Sequence, residues 1–348
     1  MSIPNIDTVY LINFLTGLLN IASPSGYTQQ AIEYCRIALQ AYPQLELTTT
    51  RKGALVARWP GLNNDSPRAL TAHVDTLGAM VKEIKSSGRL KLSKIGGFAW
   101  NTVEGEGCTI YTQNGSAIRG SILLTKASSH VYSSQVNDLK RDDDNIEARL
   151  DARTTSADET RGLGIEVGDF VAFDPRVEVT NGFVRSRHLD DKACVANILA
   201  TLKAIEDSGL QPAQTTFLHI SNYEEVGHGA AAGIPAEVTE LLSVDMAAIG
   251  EGQNSDEFHA TICVKDSGGP YHHRLSTDLR KLAEVHKIPY KVDIYPFYGS
   301  DGEAFWRAGG DVAVALIGPG VDASHNYERT HLEALTATSR WLAAYLLS

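Results

Sequence analysis

The sequence has no apolar run long enough to cross a bilayer, no Cys-x-x-Cys pair, no internal repeat and no low-complexity tract. Each absence removes a class. Without a long apolar run there is no membrane span. The four cysteines, Cys35, Cys108, Cys194 and Cys263, are scattered. They give neither a disulfide framework nor a thiolate zinc site, and they fit a reducing cytoplasm. Positive charge is in deficit: 31 Lys and Arg stand against 42 Asp and Glu, a net charge of −11. That argues against nucleic acid or an anionic membrane as the main partner. The first residues lack a basic segment. Tyr10-Leu11-Ile12-Asn13-Phe14-Leu15 is broken by a polar residue at helical spacing, the pattern of an amphipathic first helix and not of a signal peptide.

What is present is the composition of a globular enzyme, with 43% hydrophobic and 21% charged residues in 348. That length exceeds one compact core and predicts a main domain with a second one. Residues 7 to 42 read as two helices broken at Ser23-Pro24-Ser25-Gly26. Apolar strands then end in polar residues, as in Arg68-Ala69-Leu70-Thr71-Ala72-His73-Val74-Asp75. From Gly78 to about Asn181, short β-prone pieces alternate with Gly-rich turns, which suggests a small barrel or sandwich. The run Asp142-Asp143-Asp144 inside it reads as a solvated loop. Beyond Asn181 helices and strands alternate again. The expected fold is therefore α/β: a three-layer α/β/α domain with a mixed, mostly parallel sheet, formed by 1–77 and 181–348 and interrupted by a β-barrel-like domain over 78–180.

Chemistry concentrates at Tyr223-Glu224-Glu225-Val226-Gly227, just past the apolar run Thr216-Phe217-Leu218-His219-Ile220. Adjacent carboxylates repel, and burying either is costly without a cation or donors. A metal-activated water resolves the conflict, because one Glu can hold the metal while its neighbour takes the proton. His73, Asp190, Glu225, Asp245 and His325 all lie just past strand ends or at a helix start, where α/β sheets collect ligands. Each has an ordinary explanation alone: a core His73, Asp190 and Asp191 as cap and first-turn acid of a helix, an exposed loop His325. Together, two imidazoles and three carboxylates suit zinc, cobalt or manganese. Five donors suit two ions if one carboxylate bridges. In His73-x-Asp75 the two side chains share a strand face, so Asp75 can orient the imidazole.

These residues come with His73-Val74-Asp75-Thr76-Leu77-Gly78-Ala79-Met80-Val81, Leu163-Gly164-Ile165-Glu166-Val167-Gly168-Asp169, Leu189-Asp190-Asp191-Lys192, Ser243-Val244-Asp245, Gly299-Ser300-Asp301 and Ser324-His325-Asn326. In this order, over nearly the whole chain, they resemble the glutamyl aminopeptidase family, which includes the tetrahedral aminopeptidases. The resemblance implies an α/β domain with two divalent metal ions and an inserted domain used for dimerisation and assembly. It implies that His73 and Asp245 hold one ion, Glu225 and His325 the other, and that Asp190 bridges. It makes Glu224 the general base and Asp75 the carboxylate beside His73. The chain departs from the family at Lys192, where Arg is common, and at Val321-Asp322-Ala323-Ser324 before His325. Lys192, Lys265, His272, His273 and Arg274 read as solvated surface.

The expectation is thus a cytoplasmic metallo-aminopeptidase that hydrolyses the N-terminal residue of short peptides. Zinc is the expected metal, with cobalt or manganese as alternatives, in a homo-oligomer built on dimers and reaching a dodecamer. Two readings stay open beside it: a two-metal deacylase or carboxypeptidase acting on another amide, and a non-catalytic assembly protein on the same scaffold.

Overall fold

The computed structural model describes residues 3–348. By packing they fall into two compact units. Thr76–Pro175 forms one, and the segments up to Asp75 and from Arg176 to Ser348 form the other. Among the described residues, ten strands of the larger unit form one sheet, and six strands of the smaller unit close into a barrel.

The centre of the sheet runs Gln214–Ser221, Asn63–His73, Glu240–Val244, Ala313–Val321, and these neighbours are all parallel. Antiparallel strands flank them, Leu55–Trp59 on one side and Ala260–Asp266 on the other. The central strands read as unbroken apolar runs because both faces are covered. Alternate residues feed two clusters. Leu70, Ala72, Leu218, Ile220, Leu242 and Val244 face one way, toward the helices Thr8–Leu19, Leu189–Asp207, His273–Val285 and Leu332–Leu346. Ala69, Phe217, Leu241, Val314 and Leu316 face the other, toward Phe305 and Trp306 of the helix Asp301–Arg307. These are the three expected layers.

The first two helices end and restart around the expected break, with Thr8–Leu19 and Gln29–Leu39. Asp7 opens the first by accepting from Tyr10 N at 2.9 Å. Its buried residues Leu11, Phe14, Leu15, Leu18 and Leu19 recur at helical spacing. The helix Leu189–Asp207 is buried nearly all round, which its apolar composition allows. No helix among the described residues is long and apolar enough to cross a membrane.

The barrel runs Gly78–Ile84, Leu90–Ile95, Ile146–Leu150, Ala117–Leu124, Gly107–Tyr111, Phe170–Phe173 and back to the first strand. Closure leaves no free sheet edge. Inward residues such as Val81, Leu92, Ile110, Ile122 and Val171 fill it, with Phe98 edge-on to Trp100 and Phe173. The acidic run is exposed at Asp143 and Asp144, as expected, yet it is anchored. Trp100 Nε1 donates to Asp143 at 2.5 Å, and Lys91 pairs with Asp144 at 2.6 Å. An indole N–H and an ammonium need acceptors, and the loop supplies them.

Candidate functional site

The parallel strands deliver their last residues to one edge of the sheet. His73 ends its strand opposite Ser221 in register. Glu224 and Glu225 follow Ser221, Asp245 follows Val244, and His325 lies in the loop after Val321. Asp190 comes from the mouth of the helix Leu189–Asp207. Neither Asp190 (φ −74°, ψ 103°) nor Asp191 (φ −121°, ψ 26°) has helical dihedrals, and the peptide between them is cis. Neither therefore acts as an ordinary first-turn acid.

The structure brings all five proposed donors together. Asp190 lies between the two imidazoles. Its Oδ1 is 3.3 Å from His73 Nε2, and its Oδ2 is 3.3 Å from His325 Nε2. Glu225 Oε2 lies 3.5 Å from His325 Nε2, and Glu224 Oε2 lies 3.5 Å from His73 Nε2. Among the described residues, two groups have donor atoms within 4.8 Å of one another: His73, Asp190 and Asp245, and Asp190, Glu225 and His325. Asp190 is common to both. His73 Nδ1 faces the Asp75 carbonyl at 3.0 Å and its carboxylate at 3.5 Å. His73 Nε2 is buried without a hydrogen-bond partner, although carboxylates surround it. A ring nitrogen so placed, with carboxylates at non-bonded distance, fits a cation between them.

The electrostatics fit the same conclusion. Burial, then the neighbouring Asp190, pushes Glu225 up to about 8 and Asp245 up to about 7. Burial likewise raises Glu224 well above the usual carboxylate range. Burial opposes ionisation of Asp190 too, but the imidazoles of His325 and His73 outweigh it and hold Asp190 low. The site crowds more carboxylates than two imidazoles can neutralise.

A second set of carboxylates holds the backbone of the first. Asp75 is fully buried. It accepts from Glu224 N at 3.1 Å and Glu225 N at 3.2 Å, and Ser25 Oγ also donates to it. It thus fixes the Glu pair as well as facing His73. The pair sits in one turn of 3₁₀ helix, bracketed by left-handed Tyr223 and Gly227. Asp191 accepts from His73 N at 3.2 Å. Glu328 accepts from Asp190 N at 3.1 Å and His325 N at 3.0 Å. Sequence reasoning missed Ser25 and Glu328, and it read Asp191 only as a first-turn acid of a helix. Ser25 is hidden in a helix break and Glu328 in the polar run Asn326-Tyr327-Glu328-Arg329, where no pattern singles either out.

Lys192 corrects the surface reading. It is fully buried, and its Nζ donates to Leu18 O at 3.1 Å and Ile21 O at 2.7 Å, at the end of the first helix. Burial lowers it to about 7. The residue that departs from the family pattern therefore ties helix to helix. Lys265, His272, His273 and Arg274 are exposed, as expected.

A model of the M42 glutamyl aminopeptidase family matches residues 53–341. The chain belongs to this family. The M42 assignment makes it a hydrolase of the aminopeptidase type. Among its relatives, "Putative aminopeptidase YhfE" of Bacillus subtilis (strain 168) is 49% identical over 338 residues, spanning 97% of each chain. Two solved structures share the fold. Aminopeptidase APDkam598 from the archaeon Desulfurococcus kamchatkensis superposes with a TM-score of 0.86 at 22% identity, covering 98% of this chain and 95% of that one. The TET1 peptidase of Pyrococcus horikoshii superposes with 0.84 at 21% identity, covering 97% and 99%.

Proposed function

We propose that the chain removes the N-terminal residue from short peptides through a water activated between two divalent ions. The observation that carries this reading is the pair of three-donor groups joined at Asp190. His73 and Asp245 would hold one ion, Glu225 and His325 the other, and Asp190 would bridge. When bound, such ions acidify the attacking water and polarise the scissile carbonyl. Zinc suits the mixed imidazole and carboxylate set, and cobalt and manganese share it.

The chain's own groups do the rest. Glu224 is held by its backbone N–H on Asp75 and aims its carboxylate toward His73 Nε2. It takes the water's proton and returns it to the leaving amine. Asp75 fixes the tautomer and direction of the His73 ring. The remaining negative charge receives the free amine of the substrate, which favours an aminopeptidase over the hydrolysis of uncharged amides.

The barrel unit contributes none of these donors, which supports an assembly role for it. The TET1 peptidase of Pyrococcus horikoshii, which shares the fold, can assemble into a tetrahedron or a large octahedral shell. A homo-oligomer built on dimers and extending to a dodecamer in the cytoplasm is the corresponding reading here. Such a shell would restrict access to short peptides.

Metal analysis combined with a panel of chromogenic aminoacyl substrates tests the reaction. Two ions per chain and release from at least one substrate are expected. A chain that holds two ions, cleaves none of the panel and instead cleaves N-acylated substrates would sink the reading. Light scattering tests the assembly, and a fully active monomer at micromolar concentration would remove it.

A further inference from the structure

The three-stranded sheet beside the main one joins the segments that carry Asp190 and His325. Phe183–Ser186 pairs antiparallel with Glu328–His331, and Ser186 stands opposite Glu328. Past Ser186 the chain continues to Asp190, and ahead of Glu328 lies the loop with His325. The ladder therefore ends where the two arms diverge toward the site. Arg187 Nη1 donates to Asn326 O at 3.1 Å across the same gap.

The His325 arm is an improbable conformation. Ala323 (φ 57°) and His325 (φ 62°) both occupy the left-handed region, which residues with a Cβ disfavour. The loop is closed at its base by Asp322 and Arg329, whose backbone groups exchange hydrogen bonds of 2.8 and 3.1 Å. Closure of the base does not by itself fix the imidazole at the tip. Glu328 does this from inside. It is only 2% exposed, and its two carboxylate oxygens divide between the arms: Oε2 accepts from Asp190 N and Oε1 from His325 N. Hydrogen bonds to a buried carboxylate are among the stronger kinds.

We propose that Glu328 is a positioning residue that sets the spacing between Asp190 and His325, and so the fit of the ion held by Asp190, Glu225 and His325. This rests on the two-ion reading above. Glu328 touches neither ion nor substrate in this role. It acts through the two backbone amides. A carboxamide cannot replace it, because one of its two terminal atoms would become a donor facing an N–H. A shorter acid cannot reach both amides at once.

Titrating the metal-free full chain with Co²⁺, followed by visible absorption and calorimetry, decides the question. Wild type is expected to take up two ions. In Glu328→Gln one of the two steps should lose about 10- to 100-fold in affinity, the usual effect of removing an outer partner of a ligand. The other step should stay within about threefold, and the melting point of the metal-free chain should hold. Glu328→Asp should show the same asymmetry with a smaller loss, and it decides the matter if Glu328→Gln does not fold. Two unchanged affinities would overturn the inference. Equal losses in both steps with a lower metal-free melting point would also overturn it, because they mark a general structural role. If wild type binds only one ion, the two-ion reading fails first, and the inference falls with it.

Discussion

Glu147 in the barrel and Glu225 at the sheet edge are both carboxylates held away from water, with side chains only 6% and 4% exposed. Glu147 is met by two full charges, Lys85 Nζ at 2.7 Å and Arg89 Nη1 at 2.6 Å. Glu225 is met by the ring of His325 at 3.5 Å and has Asp190 as a close like-charged neighbour. One unit carries its own counter-charges for a buried acid. The other gathers acids around two imidazoles, and the proposed ions would supply the balance. The difference separates a carboxylate used for structure from one proposed for chemistry better than burial alone does.

The largest effect should come from Glu224, the acid proposed to move a proton. Glu224→Gln keeps its shape and should cut kcat by roughly 10²- to 10⁴-fold with metal content unchanged. A loss of metal in that variant, with metal retained in Glu225→Gln, would show that the roles of the two neighbours are reversed.

Metal removal is next and separates the two regions directly. A chelator should destabilise the chain by roughly 4 kcal/mol for each ion normally present at about a thousand times its dissociation constant. Calorimetry before and after adding zinc back reads the change. A melting profile indifferent to both treatments would mean that the acids of the sheet edge are balanced without ions.

His219 shows a third way to bury an ionisable group, which is to keep it neutral. It is fully buried, with Nδ1 2.9 Å from Thr71 Oγ1, and burial lowers it to about 4. Above about pH 6.5 neither the folded nor the unfolded ring is charged, and the group contributes no pH dependence. As pH falls toward 4, the unfolded chain binds a proton that the folded chain refuses, so stability falls. The expected loss from this ring is about 2 kcal/mol between pH 7 and 5. Denaturant unfolding of His219→Gln should be flatter over that interval. An identical slope in variant and wild type would place the effect elsewhere.

The smallest effect belongs to the barrel. Lys85 and Arg89 keep side-chain exposures of 23% and 37%, so water can take over their charges. Glu147→Gln should cost about 1 kcal/mol. The cost should be the same with and without chelator. If it grows when metal is removed, the two regions are energetically linked and the contrast between them is too simple.

The sheet was legible in sequence because both its faces are covered. Runs such as Leu241-Leu242-Ser243-Val244 then have no polar side to blur them, and the polar residue that follows each run marks the working edge. The same logic singled out His73, Glu225 and Asp245, which the structure brings to that edge. Asp190 and His325 needed the order of motifs as well, since a helix start and a loop are the usual places for Asp and His. Glu328 was invisible because its contribution goes to backbone N–H groups, which every residue has and no motif records. Lys192 was misread because an isolated Lys normally belongs to the surface. Only the packed geometry reveals the two carbonyls that receive it. The helix Asp301–Arg307 is too short to develop a readable period.

The strand that carries His73 has both its neighbours far downstream. Asn63–His73 lies between Gln214–Ser221 and Glu240–Val244, whereas the barrel pairs only with itself, within Thr76–Pro175. During synthesis the barrel can therefore complete every one of its ladders while the strand before it still lacks either parallel neighbour. His325 is the last of the five proposed donors in chain order, so a growing chain that stops short of it lacks the group formed by Asp190, Glu225 and His325. Ribosome-stalled chains ending before Gln214 should accordingly protect barrel amides from exchange and leave those of Asn63–His73 open.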